Sequence, residues 1–452
     1  MKKLILFSSF ALLQVLNATS QTISAGGEHS MTSCTSNSLY VWGANNFGQV
    51  GNGSTISVSY FPELITIMQG TRAVSAGRTH TLAIKNDSTV WAWGANTYGQ
   101  LGDGTNTNSN IPVQVSGLTG IIKVEGSWDY SMALRKDSTL WIWGSGIAGQ
   151  LGNGANSNSN IPVQVSSLSG VIAMAAGNSH CLAVKSDGTV WSWGWNYYGQ
   201  LGSGNVTDGN TPVQVAGLSD IVMVEAGNAH SIAIKNDGTI YVWGRNDLGQ
   251  FGNGTNTNSL VPVSGPSISG VIQISTSSDH NLVLKNDGTV WGWGVNTSGR
   301  IGDGTNNDTN VPVQCIVTNV TEISAGYSHS LARKADGTLW GWGSNSNGQL
   351  GNGNNTFNNP SPLLVNNQCP LPTSVNELEQ NKILNIYPNP TSSLINITCS
   401  EATAISITNV LGLQLIIKNV KTAESIDVSN FENGIYFIKD LNSGKTIRFI
   451  KQ

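Results

Sequence analysis

The chain has 452 residues, enough by length for about three average domains, although single all-β domains run larger. Its 22 Lys+Arg against 26 Asp+Glu leave a formal net charge of −4, so it carries no cationic field for nucleic acid. Charged residues make up only 11%, less than half the roughly 25% of ordinary globular proteins, and 53 glycines accompany them; this excludes a helical bundle or coiled coil and points to short strands joined by polar turns.

Residues 1–20 read as an address. Lys2-Lys3 precede an apolar run from Leu4 to Leu16, and Ala18-Thr19-Ser20 supply small residues before Gln21. That order is the signature of a secretory signal peptide, and the mature chain is expected to begin near Gln21 and be exported. No later run reaches the roughly 18 apolar residues of a membrane-spanning helix, so no transmembrane segment is expected. The five cysteines (Cys34, Cys181, Cys315, Cys369 and Cys399) are odd in number and lack any C-x-x-C pair, which argues against a structural zinc site. Their connectivity cannot be deduced, and a bridge between Cys34 and Cys369, near the two ends of the repeat array, is one possibility.

Residues 21–365 are periodic. Trp-Gly recurs at Trp42, Trp93, Trp143, Trp193, Trp243, Trp293 and Trp342, in steps of 51, 50, 50, 50, 50 and 49 residues. An Ala-Gly-x-x-His slot holds His29, His80, His180, His230, His280 and His329, with Tyr130 in the third unit. A Gly-Gln-φ-Gly-x-Gly slot follows each Trp-Gly, as at Gly99 to Gly104. Each unit reads as four strands: an Ile/Val run before the Ala-Gly slot, a pair such as Leu82–Lys85 and Val90–Trp93 around a polar turn, and a Pro-Val-Gln-Val segment such as Pro112–Val115. Asp187-Gly188, Asp237-Gly238, Asp287-Gly288 and Asp336-Gly337 are hairpin turns, because glycine tolerates positive φ. Four strands in about 50 residues is one propeller blade. Twelve of the 14 tryptophans fill two slots separated by one residue, so each blade turns a large aromatic pair to one face and a smaller residue to the other. Units one and seven look like interior units, which favours a closed ring. The predicted fold is all-β: a seven-bladed β-propeller followed by a small antiparallel β-sandwich.

The pattern WG-x-N-x-x-GQLG-x-G, PV-x-V, AG-x-x-H-x-LA-x-K-x-DGT-φ-W resembles the regulator of chromosome condensation repeat family. The resemblance implies the propeller scaffold. In the family's founding member, guanine-nucleotide exchange depends on a projecting insertion beside a basic tail. Here the units stay within 49 to 51 residues and no basic tail exists, so that activity is not carried over and survives only as a family label.

Residues 366–382 read as a linker, and residues 383–452 carry a different pattern. Tyr387-Pro388-Asn389-Pro390, alternating Ile395-Asn396-Ile397 and Ile405-Ser406-Ile407, the Gly434-Ile435-Tyr436-Phe437 strand and a final strand ending at Lys451 resemble the type A sorting domain of the type IX secretion system. The resemblance implies export across the outer membrane of a Bacteroidetes-type cell and recognition by the type IX machinery. The sorting motif is Tyr387, Pro388, Asn389, Pro390, Gly434, Tyr436 and Lys451.

The search for chemistry returns little. All six histidines fill the repeat slot, so none is left for a triad or a general base; they are expected to tie adjacent strands within each blade. Gly144-Ser145-Gly146-Ile147-Ala148-Gly149 matches a dinucleotide fingerprint by accident, since its end glycines belong to the repeat and no helix follows. Asp103–Asn110 and Asp303–Asn310 offer oxygen atoms but lack the order of a calcium loop. No catalytic residue, metal site or cofactor is expected. The departures from the repeat are the candidate binding residues: Arg78, Trp128, Asp129, Tyr130, Trp195, Tyr197, Tyr198, Arg245 and Tyr327. Trp, Tyr and Arg on loops are the side chains that dominate binding hot spots. The expected function is a secreted or cell-surface, non-enzymatic binding propeller that engages an extracellular protein or glycan, with units three to five presenting the surface. The alternatives are a secreted enzyme inhibitor on the same scaffold, or a glycan-cleaving enzyme, which needs two carboxylates in one cleft, Glu125 and Asp129 being the acids that depart from the repeat.

Overall fold

The computed structural model describes residues 22–34, 37–54, 56–366, 385–387, 391–398, 402–409, 414–441 and 446–451. The chain divides into two compact units between Pro372 and Thr373. The first is built from seven four-stranded antiparallel sheets, each from consecutive strands of one repeat. In the second sheet these are Thr71–Ala76, His80–Lys85, Val90–Gly94 and Ser109–Gln114. The fourth strand starts at Ser109, three residues ahead of Pro112. The proline therefore sits inside an edge strand, at the irregularity between the pairs Ala92–Val113 and Gly94–Ser109, where no ladder donor is missed.

First strands pack on the first strands of both neighbouring blades, so they ring the axis. Their side chains link blade to blade: Ser24 Oγ, Ser75 Oγ, Glu125 Oε2, Ser275 Oγ and Ser324 Oγ each accept a backbone N–H from the adjacent blade at 2.8–3.0 Å. Glu125 is thereby explained. It stands where blades 1, 2, 6 and 7 have serine, and Lys123 pairs with it at 2.6 Å.

The repeat signature resolves into an inter-blade node. In blade 2, Trp93 Nε1 and Thr81 Oγ1 both donate to the Gln49 carbonyl of blade 1, at 2.9 and 2.8 Å, and His29 Nε2 of blade 1 meets Thr81 Oγ1 at 2.9 Å. The Thr81 proton is committed to Gln49, so Nε2 of His29 carries the hydrogen and the imidazole is a neutral donor. The same bond runs from His80 to Ser131, His180 to Ser231, His230 to Asn281, His280 to Ser330 and His329 to Ser30. The histidine slot thus ties one blade to the next rather than strands within a blade. In blade 2 the glycine three residues ahead of the histidine is held by contact, since a Cβ on Gly77 would stand 2.3 Å from the His80 ring.

Apolar packing follows the same seams. The small residue between the paired aromatics receives the next blade's indole: Ala92 shares a buried cluster with Trp143, and Val41 with Trp93. The seven inner tryptophans are fully buried. The last seam joins blade 7 to blade 1 through Ile23, Trp42, Leu331, Leu339 and Val365. Thr22 N and Ile23 N donate to Glu322 Oε1 at 2.7 and 3.1 Å, and Arg333, beside Glu322, donates to Thr32 Oγ1 at 2.6 Å. Cys34 is disulfide-bonded, while Cys181 and Cys315 are free and buried; Cys369 and Cys399 lie outside the described residues.

The C-terminal unit is two small sheets. Asn385–Tyr387, Leu394–Thr398 and Ala423–Asp427 form one; Gln414–Val420, Thr403–Asn409, Gly434–Asp440 and Thr446–Lys451 form the other. Alternate residues of both close on one core: Ile395, Ile397 and Ile426 meet Ile405, Ile407, Ile438 and Phe449. Tyr436 belongs to this core, stacked on Phe449 at 5.4 Å with its hydroxyl on the Glu432 carbonyl, and Lys451 is buried opposite Gly434 in the final strand pair. Pro388, Asn389 and Pro390 lie outside the described residues, as does the expected signal peptide. Among the described residues no helix is long and apolar enough to cross a membrane.

Candidate ligand-binding face

Antiparallel order fixes which loops share a face. The Ala-Gly-x-x-His loop joins strands one and two, and the Trp-Gly loop leaves strand three, so both emerge at one end of every blade, opposite the Asp-Gly turns. A buried asparagine shapes six of the seven Trp-Gly loops, blade 3 having Gly146 in its place: Asn96 donates to the Thr105 and Thr107 carbonyls and to Asp103, and accepts from Leu101 N–H. The asparagine-rich stretches are therefore tied loops, and no cluster of metal-ligating side chains is found among the described residues. The Gly144–Gly149 stretch is one such loop, running from the strand Leu140–Gly144 to the strand Ser159–Gln164 with no helix between.

Eight of the nine predicted residues lie on this face. Trp128 sits under the Arg78 guanidinium, 4.3 Å from its ring centroid, and reaches Tyr327 of blade 7 at 6.2 Å. Trp195 stacks with Tyr197 at 6.2 Å and meets Tyr198 edge-on at 5.8 Å. Arg245 lies 5.3 Å from the Tyr198 ring, held by Asp247 at 2.6 Å and Asp279 at 3.7 Å. Tyr197 is 66% exposed. Between blades 3 and 4 a cleft of about 350 Å³ brings Trp128, Asp129 and Trp195 together with Tyr98, Ile147, Asn178 and Ser179. Burial raises the Asp129 carboxyl above its ordinary value, partly offset by the Arg78 charge.

Tyr130 is the exception. It is fully buried, with its hydroxyl donating toward the Gly177 and His180 carbonyls at 2.8 Å. Cys181 fills the hydroxyl slot of blade 4 beside it, its Sγ 3.4 Å from the Tyr130 hydroxyl. Tyr130 thus does the histidine's work on the blade 3–4 seam and is withdrawn from the set of surface ligand contacts. The sequence reading missed Asp279, Asn178 and Tyr98; all three occupy the variable positions of the same two loops, which was the available signal. A second cleft, of about 570 Å³, opens on the opposite face between blades 6 and 7, but its Asp287 and Asp336 are spoken for by turn bonds to Thr289 and Thr338.

The fold defines the class: a seven-bladed β-propeller followed by a small β-sandwich. The chain is a regulator of chromosome condensation repeat protein with a secretion-system sorting domain. Residues 10–227 match the RCC1-like domain, and residues 237–284, 287–333 and 336–387 match the regulator of chromosome condensation (RCC1) repeat. Residues 385–452 match the secretion system C-terminal sorting domain, which marks the chain for secretion or display at the cell surface. Among curated proteins it is 35% identical over 109 residues to the E3 ubiquitin-protein ligase HERC2 of Homo sapiens, covering 23% of this chain and 2% of that protein. It is 38% identical over 102 residues to the ultraviolet-B receptor UVR8 of Arabidopsis thaliana, covering 22% of each. The match thus spans a small part of either relative. Among solved structures, human WBSCR16 aligns with a TM-score of 0.66 and 25% identity over 73% of this chain and 93% of that one. Yeast RCC1 (Prp20), solved bound to Kap60, aligns with a TM-score of 0.67 and 18% identity over 85% and 92%.

Proposed function

We propose that this is an exported, non-enzymatic binding protein whose propeller engages an extracellular partner through the Ala-Gly and Trp-Gly loop face, and whose C-terminal unit is the handle for the type IX machinery. The observation that carries the reading is the gathering of the repeat's departures, scattered over five units in sequence, onto one face, with rings held in fixed contact. Preorganised aromatic and arginine side chains bind well because little conformational freedom remains to be lost. Binding is favoured over hydrolysis because glycoside cleavage takes a pair of carboxylates, and Asp129 is the one carboxylate among the residues lining the cleft.

The test is retention of the purified full chain on washed cells of its native source. Tyr197→Ala and Arg245→Ala are expected to weaken retention about tenfold together, whereas Ile272→Ala, in the opposite cleft, leaves it unchanged. Equal retention of all three variants would remove the loop face as the binding surface.

A further inference from the structure

We infer that the cleft between blades 3 and 4 takes an uncharged pyranose sugar of an extracellular glycan, an assignment that rests on the loop face being the binding face. Tryptophan bookkeeping carries it. Each of the twelve tryptophans in the two repeat slots spends its indole N–H inside the propeller. The seven inner ones donate to main-chain carbonyls of the preceding blade, and the five outer ones to a threonine hydroxyl two residues back. The remaining two, Trp128 and Trp195, have no such bond among the described residues, and both line this one cleft.

A pyranose has an apolar C–H face and a rim of hydroxyls that donate and accept. It therefore needs a fixed flat aromatic surface with polar groups at the edge. The cleft supplies both. Arg78 and Tyr327 hold Trp128, and Tyr197 and Tyr198 hold Trp195. The two free indole N–H groups are donors. The Asp129 carboxylate is an acceptor, and so is Asn178 Oδ1, whose amide nitrogen is already committed to Asn228 at 2.8 Å.

Charge selects among glycans. Asp129 is the one charged side chain among the residues lining the cleft, Arg78 lying over the Trp128 ring, and that carboxylate disfavours sulfated, phosphorylated or uronic sugars. The volume of about 350 Å³ lies at the lower end of the ~300–1,000 Å³ of small-molecule clefts, which suits a short stretch of sugar rings.

The experiment is affinity electrophoresis of the full chain in gels containing hydroxyethylcellulose, laminarin, mannan or xylan, with polygalacturonate as the anionic control, backed by tryptophan-emission titration with the corresponding hexaoses. Retardation by at least one neutral glycan is expected, with Trp128→Ala and Trp195→Ala each weakening binding about tenfold or more. Asp129→Asn should weaken it less, and Ile272→Ala should not change it. Trp128→Phe and Trp195→Phe keep the ring and drop the N–H, and they are expected to fall between wild type and alanine, which separates loss of the contact from loss of the fold. Absence of binding to every neutral glycan at millimolar concentration, preference for polygalacturonate, or indifference to both tryptophan changes each overturns the proposal. If cell retention still depends on Tyr197 and Arg245 while none of these glycans competes, the sugar assignment falls, the partner is a protein, and the loop-face reading stands.

Discussion

At the scale of single residues, the third repeat shows how a seam survives the loss of its histidine. In blade 2 the imidazole lies over Gly77 and reaches the Ser131 hydroxyl of the next blade; in unit three Ser127 stands in the glycine's place and Tyr130 reaches further, to two carbonyls of blade 4. Tyr130→Phe removes one hydroxyl and leaves both carbonyls without it, an expected loss of about 1–3 kcal/mol, read from denaturant midpoints at unchanged m. Tyr130→His alone should cost more, because Cys181 replaces the usual hydroxyl partner. Adding Ser127→Gly and Cys181→Ser should recover most of it, and additive losses among the three would refute the coupling. The sequence flagged Tyr130 and Trp128 equally as departures. It could not separate them, because an inward substitution that rebuilds a seam and an outward one that makes a surface break the same pattern.

At the scale of strands, every blade is made from one contiguous stretch of chain, so no strand is exchanged between the first and last repeats to lock the ring. Closure rests on the blade 7–1 seam, where two main-chain bonds, Tyr327 N–H to the Gly26 carbonyl and Gly353 N–H to the Tyr60 carbonyl, are joined by side chains. Glu322 accepts the first two described N–H groups of blade 1 and neutralises Arg333, whose side chain is only 17% exposed. Glu322→Ala strands that cation and frees the strand Ile23–Ala25. The expected cost is about 3 kcal/mol, with amide protection lost first at residues 22–25 in hydrogen exchange. Uniform loss of protection over all seven blades would show that the seam is not the weak point.

At the scale of the molecule, the ring contains six neutral buried imidazoles. Burial lowers His29, His80, His180 and His329 to about 3 and moves His230 and His280 down as well. Their Nδ1 atoms have no partner, so a second proton would be unsatisfied. Unfolded chains take up these protons below the ordinary value of 6.5 while the folded ring does not. Stability therefore falls as pH drops from 6.5 toward 3, by up to about 1.4 kcal/mol per pH unit for each histidine. Glu225 runs the other way: burial, with the Glu125 charge adding to it, raises it to about 8, so the folded state holds its proton between 4.5 and 8 and loses stability as pH rises through that range, with the slope of a single histidine. Six imidazoles against the raised Glu225 and Asp129 carboxyls leave a maximum near neutral pH. Denaturant midpoints that match at about pH 7 and pH 5 would contradict this. Delivery is tested on the same scale by mass spectrometry of the native protein. The mature chain is expected to start near Gln21 and, after sorting, to end within 366–382; a C-terminus intact at Gln452 would make the sandwich a working domain.

The periodicity of Trp-Gly, the Asp-Gly turns and the alternating isoleucines determined the blade count, the strands and the sorting sandwich, because those features are local and repeat with the chain. Partnership was decided only in three dimensions. Nothing in the spacing says that the His29 nitrogen, the Thr81 hydroxyl and the Gln49 carbonyl meet across a seam, since the sheet twist and ring closure set that distance. Nor does any period join residue 128 to residue 195. They share a cleft because the loops of two adjacent blades emerge side by side on one face, and that adjacency belongs to the packed ring, not to either repeat.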